Sequence, residues 1–100
     1  MLLDDLPASD LIRQGLDDLV QSRESIPAFL VKIASSRLRR CGISVIVSDE
    51  EALTADHQLY AMLGREHGNR AHSRYNALLR ELVSFERALE ARFQRLSVSS

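Results

Sequence analysis

Arg65, His67, Arg70, His72 and Arg74 crowd the stretch around Gly68-Asn69 and face a single carboxylate, Glu66. Guanidinium forks and imidazole rings at that density can hold a phosphate or a carboxylate. The stretch also leads into a helix, whose free N–H groups favour an anion. A second cationic group, Lys32, Arg39 and Arg40, falls on one stripe of an earlier helix. It offers another anion or nucleic-acid surface, although no aromatic is interleaved with it for base stacking. The plain alternative at both places is a solvated basic face.

Other chemistries find less to work with. His57, His67 and His72 lack the spacing of a metal set, and Cys41 is the only cysteine, so neither a disulfide nor a cysteine-rich zinc site is expected. Asp56 near Tyr60 could serve as a general base, but no second carboxylate stands at helical spacing to it. There is no glycine-rich phosphate loop, no G-x-S-x-G and no Cys/His pairing. No catalytic, cofactor-binding or metal residue is therefore expected, and a non-enzymatic protein is the expectation.

These groups must be carried by one domain, because the chain has 100 residues. Hydrophobic residues make up 45% and charged residues 27%, a globular balance that excludes disorder and collagen-like repeats. No run approaches the roughly 18 apolar residues of a membrane span. The acidic start, Met1-Leu2-Leu3-Asp4-Asp5, does not read as a signal peptide, so a cytoplasmic protein is expected. Net charge is −1, so nucleic-acid binding would need a local patch. All basic residues but Lys32 are Arg, which reads as the coding bias of a GC-rich bacterial genome.

Breaks at Ile26-Pro27, Gly42 and Gly68-Asn69 divide the chain into four helix-length pieces, and an all-α four-helix domain is expected. The first helix, about 9–22, places Leu11, Ile12, Leu16, Leu19 and Val20 on one face and Asp10, Gln14, Asp17, Asp18 and Gln21 on the other. Gly15 weakens it and would permit a close crossing. The second, about 27–41, begins at Pro27 and ends at a Gly42 cap. The third, about 49–66, opens on a capping box, Ser48-Asp49-Glu50-Glu51. The fourth, about 73–96, carries Tyr75, Leu78, Leu82, Phe85, Leu89, Phe93 and Leu96 at steps of three or four, with residues 97–100 as a frayed tail. The fourth helix is therefore expected to be the organising element, its ridge long enough either to cover the other three helices or to form the seam of a homodimer, and Tyr75, Leu78, Leu82, Phe85, Leu89 and Phe93 are candidate interface residues.

Ile43-Ser44-Val45-Ile46-Val47 is the one β-prone run. A lone strand cannot satisfy its own backbone, so it must pair with something or pack as irregular coil. Alternation sets Ser44, Ile46 and Ser48 to one side and Ile43, Val45 and Val47 to the other. Two charges interrupt apolar faces, Arg37 on the second helix and Glu86 on the fourth. They are expected to pair, within the bundle or across a dimer, and so fix register rather than add stability; the plain alternative is that both lie at the rim with their charges in water. Net charge is also segmented: −4 over residues 1–31, +4 over 32–47, −4 over 48–56 and +3 over 57–100.

From Ile43 to Leu82 the order is a β run, Ser48-Asp49-Glu50-Glu51, a helix, a Gly68-Asn69 turn and Ser73-Arg74-Tyr75-Asn76-Ala77-Leu78. It resembles the ribbon-helix-helix layout of small bacterial repressors and antitoxins. That resemblance implies duplex DNA as a partner, yet neither side of the β run carries Arg, Lys, Asn or Gln to read bases. The leading expectation is a helical protein–protein interaction module, such as an adaptor, regulator or chaperone-like accessory, with a second copy as the expected partner. The alternative is a dimeric nucleic-acid-binding regulator using the arginine patches.

Overall fold

Local chemistry sets the helix boundaries. The computed structural model describes the backbone of residues 5–99 and the side chains of residues 5–95. It contains α1 (Ser9–Val20), α2 (Ile26–Arg40), α3 (Asp49–His67) and α4 (Ala71–Ser99), with a 3-10 turn, Gly68–Arg70, joining the last two. α1 begins without a side-chain cap: Ala8 is left-handed, and its carbonyl accepts from the N–H groups of Leu11 and Ile12 at 3.1 and 3.3 Å. α2 begins at Ser25, whose hydroxyl accepts from the Ala28 N–H at 3.1 Å. Its end is closed by Ile43 N–H donating to the Leu38 carbonyl and Gly42 N–H donating to the Arg39 carbonyl. Gly42 takes φ +85° there, a conformation glycine adopts without steric cost.

α3 is capped by the Ser48 hydroxyl, which accepts from the Glu51 N–H at 3.1 Å. The expected reciprocal bond differs. The Glu51 carboxylate lies 3.3 Å from the Ser48 hydroxyl and 3.6 Å from Lys32 Nζ rather than on the Ser48 N–H. α4 is a single rod, about 43 Å at 1.5 Å per residue, against a longest molecular dimension of 48 Å. The expected frayed tail at 97–100 is corrected: the helix continues through Ser99, because no glycine or proline follows Gly68 to stop it. Ser100 lies outside the described residues, as does the side chain of Leu96.

α2 is central, packing against α1, α3 and α4, and α4 also packs on α3. The core joins Ile12 of α1, Phe29, Leu30, Val31 and Leu38 of α2, Leu59 and Leu63 of α3, and Leu78, Leu82, Phe85 and Leu89 of α4. Tyr75 and Phe93 pack at its margins. The apolar ridge of α4 thus covers helices of its own chain. At the α1–α2 crossing, a Cβ on Gly15 would overlap the Pro27 carbonyl oxygen and the Val31 side chain, so the helices meet there backbone to side chain.

One assignment to the polar face of α1 is also corrected. Asp18 is only 5% exposed. Its carboxylate accepts from Arg23 Nε at 3.1 Å and from the Ser25 hydroxyl at 2.7 Å. It therefore ties the end of α1 to the cap of α2. Residues 43–47 form no strand, and none occurs among the described residues. They run as a linker in which Val45 and Val47 are buried while Ser44 and Ile46 face out.

Candidate interaction groove and cationic turn

The linker is held by an unexpected partner. Arg39, a candidate anion contact, turns its guanidinium onto the chain itself: Nε donates to the Val45 carbonyl at 3.1 Å and Nη2 donates to the Val47 carbonyl. Carbonyls two apart in an extended segment point to the same side, so one side chain can satisfy both. Lys32 is likewise committed. Its ammonium stands 3.6 Å from Glu51 and 5.3 Å from the centre of the Phe29 ring. Arg40, the third member of that stripe, is exposed. The structure therefore does not bring Lys32, Arg39 and Arg40 together as one cationic surface.

Between α1 and the linker lies a groove of about 730 Å³, bordered by Leu16, Leu19, Val20, Lys32, Val45 and Ile46. Val20 is 80% exposed and Ile46 is 91% exposed beside it. Helical periodicity sets Leu16, Leu19 and Val20 on the apolar face of α1 with Leu11 and Ile12. Here Leu16 and Leu19 are half-buried and Val20 is outside. The helical wheel could not show this, because α1 packs mainly on one helix, α2, while α3 and α4 pack elsewhere. Ile46 carried a readable signal, since alternation sets it beside Ser44 and away from Val45 and Val47.

The cationic turn is assembled as an exposed surface. Arg65 and His67 end α3, Arg70 lies in the 3-10 turn, and His72 and Arg74 start α4, all of them exposed. Asn76 and His72 approach to 3.2 Å. Tyr60 stacks edge to face on Tyr75, with ring centres 5.2 Å apart, and on His72 at 6.5 Å. Tyr60 thus engages rings across the hairpin. No group of His, Cys, Asp or Glu able to hold a metal ion occurs among the described residues.

Arg37 and Glu86 stand 3.7 Å apart within one chain, and Arg37 also reaches Glu90 at 3.4 Å. Arg37 is about half exposed, so its charge meets water at the rim while Glu86 sits deeper. Burial pushes the Glu86 carboxyl above its ordinary value, with Arg37 and Arg40 opposing and Glu90 adding to the rise. Near the chain ends, Arg92 forks onto Asp5 at 2.6 and 2.8 Å. That hydrogen-bonded guanidinium holds the Asp5 carboxyl below its usual value. No helix among the described residues is long and apolar enough to cross a membrane. No protein-family model, curated protein or solved structure matches the chain.

Proposed function

We propose that this protein is a non-enzymatic helical interaction module, an adaptor or regulator that works by offering a surface to another protein. The observation that carries the reading is the groove between α1 and the linker, with Val20 and Ile46 exposed at its edge. Exposed large apolar side chains that cluster beside a concavity characterise recognition surfaces more than inert ones. The core ridge of α4 is covered by its own chain, so the groove is the better surface to offer.

The test is photo-crosslinking of the full chain in the producing cell. A photoreactive residue at Val20 is expected to give discrete protein adducts, while one at Ser84 on the outer face of α4 gives none. Adducts from Ser84 and none from Val20 would refute the groove as the working surface. A second reading, binding of nucleic acid, is favoured by the exposed Arg65, His67, Arg70, His72 and Arg74 around one turn. It requires duplex DNA binding that weakens steeply with salt and that is reduced by Arg70→Ala with Arg74→Ala. Absence of binding at low salt removes it.

A further inference from the structure

Along the linker, residues 43–47, burial alternates, with Val45 and Val47 in and Ser44 and Ile46 out, and Arg39 bonds alternate carbonyls, the pattern of an extended segment with two different edges. Arg39 satisfies the carbonyls of Val45 and Val47 on one edge. The backbone groups of Ser44 and Ile46 point to the opposite edge. Among the described residues, no hydrogen bond joins the backbone of either to another part of the chain. Free strand edges are ordinarily protected by lysine, proline, a bulge or a covering element. From Cys41 to Ser48 this segment has no charged residue and no proline, and Ile46 is almost fully exposed at its middle. It is an unguarded edge on a well-held support.

We propose that this edge pairs antiparallel with the same edge of a second copy, about a two-fold axis at Ile46. The proposal rests on the interaction-module reading and names a second copy as the partner. At the axis, Ile46 exchanges both backbone bonds with its counterpart, and Ser44 does the same with Ser48 of the copy. Ser48 can take part, since its carbonyl, which accepts from Ala52 N–H, keeps a second lone pair. The two Ile46 side chains then lie side by side and cover each other. Unlike an open edge, the pair leaves no backbone row for further chains, so the assembly closes at two.

Charge favours this occupant. Residues 32–47 carry net +4 and residues 48–56 net −4, and the proposed axis lies close to the boundary between the blocks. Antiparallel pairing about Ile46 brings the end of α2 in one copy beside the start of α3 in the other. Arg40 at the first and Asp49 and Glu50 at the second are exposed, and no ion pair within 4 Å engages any of them among the described residues. Each axis-related contact therefore sets an exposed cation that makes no close ion pair against two exposed carboxylates, twice per pair. The outer face carries Ser44 and Ile46, which offer nothing to read a base.

The test is the solution mass of the full chain by light scattering, together with two variants. The wild type is expected at twice its 11.3 kDa chain mass. Ile46→Lys places like charges across the axis and is expected to be monomeric, with an unchanged helical circular-dichroism spectrum. Arg40→Glu is expected to raise the dimer dissociation constant about tenfold, with rescue by Asp49→Arg and Glu50→Arg together. A monomeric wild type at the highest soluble concentration overturns the proposal. So does a dimer that persists in Ile46→Lys. Failure of the groove reading is read separately, from the Val20 crosslinks, since Val20 lies outside the paired edge.

Discussion

Glu86 illustrates how one buried charge sets a pH dependence. Burial raises its carboxyl above the ordinary value, and Arg37 at 3.7 Å only partly offsets this. Between the unfolded and the raised folded value, the folded chain holds more protons than the unfolded one. The ionised group therefore weighs against folding at neutral pH, and the penalty is relieved as pH falls through the raised value. Glu86→Gln is expected to be at least as stable as wild type near neutral pH, with its advantage shrinking toward the ordinary glutamate range of about 4.3. Urea unfolding at several pH values measures this. A Gln variant that is less stable, and most so at neutral pH, would mean that the charged pair with Arg37 stabilises the fold. Sequence alone marked Arg37 and Glu86 as polar residues on apolar faces, and the structure sets them in contact. It gave no warning of Asp18 or Arg39, whose partners lie in loops. Periodicity reports which face a residue shares, not which unsatisfied loop group waits beside that face.

At the scale of elements, Gly15 separates helix propensity from packing. In an exposed helix, Gly→Ala stabilises by about 1 kcal/mol. Here the added methyl would overlap the Pro27 carbonyl and the Val31 side chain, so α1 would have to lift from α2. Gly15→Ala is expected to cost about 1–3 kcal/mol, as overpacked sites do. Thermal unfolding gives the sign directly, and an increase in melting temperature would show that the crossing is looser than described. The close crossing was readable from the glycine within an apolar face. The four helices were readable too, from Pro27, the Gly42 cap, the Ser48 box and the long apolar ridge of α4. The centre of the packing was not: the long ridge of α4 reads as the organising element, whereas α2 is the helix that packs on all three others. What made α2 central is its uninterrupted burial from Ala28 to Val31 together with Ala34 and Leu38.

At the scale of the whole molecule, the division of surfaces matters most. The core uses the α4 ridge, the cationic turn lies at the hairpin of α3 and α4, and the groove and linker edge lie where α1 and α2 meet the start of α3. The β-branched run of the linker implies a segment that must pair or pack as coil. In one chain it does half of each: Arg39 takes one edge and the other stays open. Residue-resolved amide hydrogen exchange at low and high protein concentration reads the state of that edge. The Ser44 and Ile46 amides are expected to exchange fast in dilute solution and to become protected as concentration rises, while the amides of Leu82 to Leu89 are protected throughout. Concentration-independent exchange at Ser44 and Ile46, or new protection confined to α4, would contradict pairing at that edge.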